Sequence, residues 1–420
     1  MKINRCLVLI IIILTSCSCD VDIASDKYTN LKSFSNISPV IMRAFFNIQQ
    51  LWLNVNTRRK IDTDANLLEP FSRNKKFPCD ISQGRSVSRP TSIHKLRPGD
   101  IDIIGAIGDS LTTASGALST NLGHMFTENR GLAWNIGGQW NWRNSTTLPN
   151  ILKVFNPKLI GYSVNDSFTY SPGVGFNTAE IGAVTVDLYG MARVLVERIK
   201  NDPRVNFMKD WKMITVTIGA NDICSFVCSL DDPNKLPESH RKNLLKTLRY
   251  FRDNMPRTFI NVVSKPKVRI LLNFSKKTKY CELLQLGMCS CFTGLFFNAT
   301  SDTRKWFEEI EEKFMKVEKE VAKMEEFKGL QEFAVVYQPW GVNSTLDVDG
   351  NGDDRTLLGY DCFHSSQKGH SYAGVSLWNN LLQPDKAKQT SWNSPHTRFL
   401  CPSPKRPYIY TYNNEVEEKF

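Results

Sequence analysis

The chain has 420 residues, of which 41% are hydrophobic and 23% are charged. This balance can bury a core, and it excludes a mainly disordered or collagen-like chain. Lysine and arginine outnumber aspartate and glutamate by 53 to 42, giving a net charge of +11. The excess favours anionic surfaces such as phospholipid headgroups or nucleic acid, although a solvated basic face is the simpler explanation. The length allows two or three domains, or one large α/β domain with extensions.

Residues 1–19 have the layout of a secretory signal peptide. A basic start with Lys2 and Arg5 is followed by an apolar run over residues 7–14 and then by small residues. This run is shorter than the roughly 20 apolar residues that a membrane-spanning helix needs, and no later segment comes close. We therefore expect a secreted, soluble protein with no transmembrane segment in the mature chain.

A rival interpretation of the same segment is a bacterial lipoprotein in which Cys17 carries the lipid. Asn-x-Ser/Thr sequons argue against it, because in an exported eukaryotic chain they are acceptors for surface glycans. The sequon asparagines are Asn36, Asn144, Asn165, Asn273, Asn298 and Asn343.

Cysteine usage points the same way. Three of the eleven cysteines lie in or beside the signal segment, and an even number remains. That number suggests disulfide bonds in an exported chain. Roughly a hundred pairings are possible, so connectivity stays open, with Cys224–Cys228 and Cys79–Cys401 as candidate pairs. A zinc site on the cysteines of residues 281–291 is a weaker alternative, because no histidine lies near them at ligand spacing.

The organisation of the chain changes near residue 96. Residues 20–95 contain one helical stretch, near Ser38 to Leu53, followed by a polar, basic and proline-containing region. We interpret them as an N-terminal helical and irregular extension that wraps the main domain. The main domain is predicted to span residues 96–395, and residues 396–420 to form a C-terminal tail.

Strands and helices alternate within the main domain. Apolar runs predict strands at Ile101–Ala106, Lys212–Ile218, Val268–Phe274 and Glu332–Tyr337. Helical spacing of apolar residues predicts helices at Thr185–Lys200, Pro237–Asn254, Asp302–Lys328 and Ser366–Leu382. The apolar stripe of the third helix is too short for a coiled coil, so we expect it to pack on the sheet. The alternation predicts an α/β fold of three layers, with a central parallel sheet covered on both faces.

The candidate nucleophile is Ser110. The first predicted strand runs into Gly108-Asp109-Ser110-Leu111, which places a hydroxyl at the carboxyl end of the sheet. Open α/β sheets bind ligands at that edge. A serine hydroxyl must have a base beside it before it can act as a nucleophile.

The candidate base is His364, one of six histidines. In Asp361-Cys362-Phe363-His364 a carboxylate precedes the imidazole by three residues. It can accept the Nδ1–H and leave Nε2 to take the serine proton. Alone, an Asp-x-x-His pattern is more often a helix cap, but its position late in a chain with Gly-Asp-Ser-Leu favours a triad of Ser110, Asp361 and His364. His370 is interpreted as a packing residue.

Two further segments could supply an oxyanion hole. Asn221 follows the second predicted strand and can aim an amide N–H at a developing oxyanion. Gly182 precedes a helix and offers a backbone N–H, and the N–H of Ser110 would be the third donor. Such donors stabilise the charge that develops in acyl transfer.

Together these pieces resemble the SGNH/GDSL hydrolase superfamily, whose four blocks contribute serine, glycine, asparagine and histidine in the order Ser110, Gly182, Asn221 and His364. Further segments resemble its phospholipase B branch. They are Leu96-Arg-Pro-Gly-Asp100, Asn135-Ile-Gly-Gly-Gln-Trp140, Asn221-Asp-Ile-Cys224, Asp361-Cys-Phe-His364 and Cys401-Pro-Ser403. The likeness runs from about Cys79 to Tyr410.

The resemblance implies a three-layer, flavodoxin-like SGNH fold. It also implies a serine esterase that deacylates glycerophospholipids and lysophospholipids without a metal or cofactor. The partners implied are a lipid substrate and peripheral contact with anionic membranes, not nucleic acid. Two other hypotheses are an esterase for short-chain or carbohydrate esters and a non-catalytic secreted lipid-binding protein. Some members of the branch are membrane-anchored, but the polar end of this chain puts tethering in doubt.

Two local features depart from simple expectations. Glu180 and Ile181 stand beside Gly182, where the family usually has small residues. Asp347–Asp353 resembles the start of an EF-hand loop, but its twelfth position is Leu358 rather than Glu. We expect a surface turn there. No Gly-x-Ser-x-Gly elbow occurs, which argues against a standard α/β-hydrolase.

Overall fold

A parallel sheet of four strands forms the centre of the structure, a computed structural model that describes residues 65–272, 274–275, 277–294 and 301–416. The strands are β1 (Ile103–Gly108), β2 (Lys212–Thr217), β3 (Thr258–Val263) and β4 (Phe333–Gln338). They follow one another in sequence order across the sheet, and all neighbours are parallel. Every strand residue is buried, as expected for a parallel sheet with both faces covered.

Helices provide the outer layers. Within the described residues the α-helices are α1 (Ser110–Thr113), α2 (Leu148–Phe155), α3 (Leu188–Lys200), α4 (Leu236–Asn254), α5 (Arg269–Leu272), α6 (Lys279–Met288), α7 (Ser290–Thr293), α8 (Ser301–Ala322), α9 (Gln367–Leu381) and α10 (Tyr412–Val416). A single π-helical turn covers Asp222–Phe226. None of these described helices combines the length and the apolar character needed to cross a bilayer.

The two faces of the sheet are covered by different helices. Apolar side chains of α3, α4 and α8 pack with the strand residues Ile107, Ile214 and Ile260 on one face. Those of α2 and α9 pack with Ile104 and Phe259 on the other. Successive strand residues point to opposite faces, so one strand serves both cores. The predicted three-layer α/β architecture is confirmed.

Most predicted elements are found, with ends shifted by a few residues. The stripe of the long helix α8 is buried through Phe307, Ile310, Phe314 and Val317, and the helix contacts the sheet as expected. The predicted helix near residues 38–53 and the signal segment lie outside the described residues. The domain boundaries at residues 95 and 395 remain predictions.

One predicted strand is wrong. The described residues of the predicted strand Val268–Phe274 are not in the sheet: Arg269–Leu272 form the short helix α5, and Leu271 packs in the core. The third strand is instead Thr258–Val263, directly after α4. Short apolar runs can form a strand or a buried helical turn, and periodicity alone does not separate the two.

All eight remaining cysteines form disulfide bonds. The pairs are Cys79–Cys401, Cys224–Cys289, Cys228–Cys291 and Cys281–Cys362. The first pair was expected. The expected local pair of Cys224 with Cys228 is wrong, because both side chains reach across to cysteines at the start of α7. The zinc alternative also fails, since the sulfurs it would need are all used in disulfides.

Candidate active site

Ser110 lies directly beyond β1, where the chain enters helix α1. Gly108 ends the strand, and a β-carbon there would lie 2.5 Å from the carbonyl oxygen of Thr217 on β2. Glycine is therefore needed for this close approach. Oδ1 of Asp109 accepts a 3.0 Å hydrogen bond from the N–H of Leu111 and caps the helix. These constraints keep Ser110 at the carboxyl edge of the sheet.

Ser110, His364 and Asp361 form a continuous chain of hydrogen bonds. Nε2 of His364 lies 2.8 Å from Oγ of Ser110, and Nδ1 lies 2.5 Å from Oδ2 of Asp361. All three residues are buried. Because Nδ1–H is the donor that a carboxylate accepts, Nε2 is left as the acceptor for the serine proton. The arrangement can therefore support removal of the Ser110 proton by the imidazole.

The carboxylate of Asp361 is fixed by the turn that follows it. Its Oδ1 accepts hydrogen bonds from the backbone N–H groups of Phe363, at 3.0 Å, and His364, at 2.9 Å. Its Oδ2 remains for the imidazole ring. The local Asp-x-x-His spacing is thus used as expected, with one oxygen holding the turn and the other orienting the ring.

The segment with Gly182 runs beside the end of β1. The N–H of Glu180 donates a 3.1 Å hydrogen bond to the carbonyl of Gly108, two residues before Ser110. Gly182 has a φ of +77°, a conformation that favours glycine, and the space where a β-carbon would stand is open. The loop is therefore brought to the same sheet edge as Ser110.

Asn221 joins the same edge from β2. The β1 residue Gly108 pairs with Thr217 of β2, and Asn221 follows four residues later. Nδ2 of Asn221 donates a 2.8 Å hydrogen bond to the carbonyl of Ala183, next to Gly182. The second N–H of this amide is not needed for that bond. The segments that carry the three predicted donors are thus joined to one another by hydrogen bonds.

Two buried carboxyl groups, each next to a candidate site residue in sequence, have raised pKa values. Burial raises the pKa of Asp109 to about 6 and that of Asp222 to about 7. Hydrogen bonds from the N–H of Thr185 to both oxygens of Asp222, at 3.0 and 3.2 Å, offset part of the second shift. The negative charge of Asp109 adds to it.

Arg130 is a residue that the sequence analysis missed. Its guanidinium is fully buried and pairs with Glu128 at 2.6 Å. It also donates to the carbonyl of Ala179 at 2.8 Å and to Oγ1 of Thr169 at 3.0 Å. Burial raises the pKa of Glu128 to about 7 in spite of this pairing. Arg130 therefore stabilises the loop that leads to Gly182. The sequence around Arg130 has no periodicity that would have predicted this role.

The same cluster explains the unusual Glu180. Its carboxylate accepts a hydrogen bond from the hydroxyl of Thr169, and burial raises its pKa while the charge of Arg130 lowers it. The side chain of Glu180 therefore turns towards Arg130 and Thr169. Its neighbour Ile181 instead stays 44% exposed. Glu180 is thus accommodated within the loop's own packing.

The competing motifs have ordinary structural roles. Nδ1 of His370 accepts a 3.3 Å hydrogen bond from the N–H of Trp134, and burial lowers the pKa of His370 to about 3, so it packs as a neutral ring. Oδ1 of Asp347 accepts from the N–H of Gly352 within a surface turn. No cluster of metal-ligating side chains occurs among the described residues.

Three sequons can be located. Asn144, Asn165 and Asn343 are all exposed, as glycan acceptors must be. The other three lie outside the described residues.

A hydrogen-bonded serine, histidine and aspartate at the carboxyl edge of a parallel sheet is the arrangement of a serine hydrolase. The chain belongs to the GDSL-like lipase/acylhydrolase family, whose model matches residues 104–376. It is 38% identical over 332 residues to the membrane-associated phospholipase B1 of Homo sapiens, covering 78% of this chain and 22% of that protein. The rat protein of the same name is 36% identical over 342 residues, covering 80% of this chain and 23% of that protein. The chain thus spans less than a quarter of the length of these relatives.

Two bacterial proteins of known structure are among those similar to this chain. The extracellular lipase of Streptomyces rimosus gives a TM-score of 0.33 at 13% identity, over 66% of this chain and 98% of that chain. Phospholipase A1 of Streptomyces albidoflavus NA297 gives 0.29 at 14% identity, over the same shares.

Proposed function

We propose that this protein is a secreted serine esterase that releases fatty acids from glycerophospholipids and lysophospholipids. The observation that carries the proposal is the hydrogen-bonded chain from Ser110 through His364 to Asp361. Membership of an acylhydrolase family supports ester chemistry. The similarity to phospholipase B1 proteins supports a phospholipid as the ester.

In the proposed reaction Oγ of Ser110 attacks the acyl carbonyl carbon while Nε2 of His364 accepts its proton. Asp361 keeps the imidazole in the required tautomer and stabilises its positive charge. The oxygen of the tetrahedral intermediate is negatively charged. It is held by the N–H groups of Ser110 and Gly182 and by the side-chain amide of Asn221.

The intermediate collapses when the bond between the acyl carbon and the glycerol oxygen breaks. Nε2 of His364 returns its proton to that oxygen, and the product leaves, a lysophospholipid from a phospholipid or a glycerophosphodiester from a lysophospholipid. Water then attacks the acyl-enzyme while His364 accepts a proton from it. His364 returns that proton to Oγ of Ser110, which regenerates the serine and releases the free fatty acid. The two half-reactions balance without any further reactant.

The surroundings of the site support an apolar substrate. Ile181, beside Gly182, is 44% exposed, and Phe226, on the turn after Asn221, is 43% exposed. Tyr360, beside Asp361, is 37% exposed. Exposed apolar side chains beside a site can contact an apolar ligand or a membrane. We include peripheral contact with anionic membranes in the proposal, in view of the chain's net charge of +11.

The test is fatty-acid release by the purified protein from mixed micelles of phosphatidylcholine or lysophosphatidylcholine. We expect the parent protein to release fatty acid from both lipids and the Ser110→Ala variant to release none while keeping its fold. A water-soluble acetyl ester serves as the comparison substrate. Hydrolysis of the acetyl ester alone would indicate a short-ester esterase, and failure on every ester would contradict the proposed activity.

A further inference from the structure

Helix α6 holds Cys362, the first of the two residues between Asp361 and His364. Cys281 of α6 forms a disulfide with Cys362. One helical turn later, Nε2 of Gln285 donates a 2.7 Å hydrogen bond to the carbonyl oxygen of Cys362. Helix α6 therefore makes two bonds to residue 362: a disulfide to its side chain and a hydrogen bond to its backbone.

Cys362 has an unusual backbone conformation. Cys362 has a φ of +57°, in the left-handed region that residues with a β-carbon seldom adopt. Its N–H donates a 3.0 Å hydrogen bond to the carbonyl of Gly359. Conformations of this kind persist when the surroundings determine them, and they concentrate at functional sites. The turn at Cys362 brings the Asp361 carboxylate back onto the N–H groups of residues 363 and 364.

Helix α6 is itself well anchored. Cys281 and Gln285 are spaced four residues apart, lie on one face of the helix and are both buried. The residue after the helix, Cys289, forms a disulfide with Cys224, three residues beyond Asn221. The helix therefore connects the segment that carries Asn221 to the segment that carries His364 through covalent bonds at each end.

We propose that Cys281 and Gln285 are positioning residues for the reaction and that α6 acts as a clamp on the turn between the acid and the base. The inference rests on the proposed function in so far as its kinetic effect needs a substrate. Without the clamp, residue 362 can relax out of its left-handed conformation, and the Asp361 carboxylate and the His364 ring lose their fixed alignment.

The first test is kinetic and uses a water-soluble ester. Two variants are compared with the parent: a double Cys281→Ala, Cys362→Ala variant and the single Gln285→Met variant, which keeps a similar volume without the donor. A misplacement of catalytic groups by about 1 Å can lower a rate about 100-fold, so we expect kcat to fall between about 10- and 100-fold with KM nearly unchanged. The Cys79→Ala, Cys401→Ala variant is the control, because it also removes one disulfide but leaves the clamp intact.

The second test needs no substrate. The proton on Nδ1 of His364, shared with Asp361, is expected to give a sharp downfield resonance in the proton NMR spectrum of the parent, assigned by its loss in His364→Gln. Both clamp variants should broaden or lose it while the control keeps it. This outcome supports the clamp even if the protein hydrolyses none of the esters tried, which separates it from the proposed function.

Three results would overturn the clamp. The first is a parent protein without the resonance, and the second is clamp variants that keep both the resonance and kcat. The third is an equal loss in the control variant, which would mean that any disulfide has this effect through general stability. If the double variant fails to fold, Gln285→Met alone decides, because it leaves all four disulfides in place.

Discussion

Nε2 of His364 lies 2.8 Å from Oγ of Ser110, although the two residues are 254 positions apart in the chain. The serine is held by the tight turn after β1, and the histidine by a turn that its own neighbour Asp361 stabilises. Each local structure is determined by a few residues, and the sheet brings the two together. The distance is that of a normal hydrogen bond, so no rearrangement is needed before proton transfer can begin.

The first prediction concerns Asp361. Asparagine at this position keeps the size of the side chain but removes the carboxylate that accepts Nδ1–H, so the imidazole loses its required tautomer. We expect Asp361→Asn to lower kcat by about 10³- to 10⁴-fold on a soluble ester while the protein stays folded. Steady-state kinetics and circular dichroism check this. A loss smaller than about 10-fold would show that the carboxylate does not orient the base.

The second prediction concerns the amide of Asn221. If it stabilises the oxyanion, Asn221→Ala should lower kcat by about 10²- to 10³-fold with little change in KM, because the interaction strengthens only in the transition state. Asn243→Ala is a matched control, since Asn243 makes a similar side-chain bond of 2.9 Å to the carbonyl of Ser239, but on α4. Equal rates for the two variants would remove Asn221 from the mechanism.

The third prediction concerns pH and stability. Burial raises the pKa of Asp222 to about 7 from an ordinary value of 3.8. Between these values the folded protein keeps a proton that the unfolded chain has released, so this residue lowers stability as the pH rises through that window. Asp222→Asn removes the effect, and the free energy of unfolding should change less with pH, by up to about 1.4 kcal/mol per pH unit.

Urea denaturation between about pH 4.5 and about pH 7 measures this slope. The exposed Asp231 provides the control, because Asp231→Asn should leave the slope as it is in the parent. An Asp222→Asn variant with the parent's slope would mean that the buried carboxyl is not protonated in the folded protein.

The fourth prediction concerns the disulfide between Cys79 and Cys401. It links residues 322 positions apart and joins the segment before β1 to the C-terminal segment. Removing both cysteines should lower the free energy of unfolding by about 2–5 kcal/mol, because the unfolded chain gains freedom. The folded variant should keep the parent's kcat. An unchanged unfolding midpoint would show that packing alone holds these segments together.

The candidate residues Ser110, Asp361 and His364 could be picked out from the sequence because their signals are local, and the structure places them within hydrogen-bond distance of one another. Ser110 follows an apolar strand, and Asp361 lies three residues before His364. Each half of the site could therefore be identified from a short sequence segment. The carboxyl edge of a parallel sheet then predicts that separate strand ends meet. The same logic placed Asn221.

The remaining features depend on contacts between distant segments. Val268–Phe274 has a strand-like composition, yet its residues Arg269–Leu272 form a helical turn, and Thr258–Val263 is the strand between β2 and β4. Cys224 and Cys228 are close in sequence, but their partners Cys289 and Cys291 lie on another element. Neither the helical turn nor the disulfide pairing produces a periodic pattern in the sequence, so neither could be predicted from it.

The most direct test of the proposed chemistry is covalent labelling with a fluorophosphonate, followed by mass spectrometry of the digested protein. An activated serine reacts with such a probe, and an ordinary buried hydroxyl does not. We expect one label, on Ser110, with labelling greatly slowed in His364→Ala. A protein that stays unlabelled, or that carries the label on a different serine, would contradict the assignment of Ser110 and His364 as nucleophile and base.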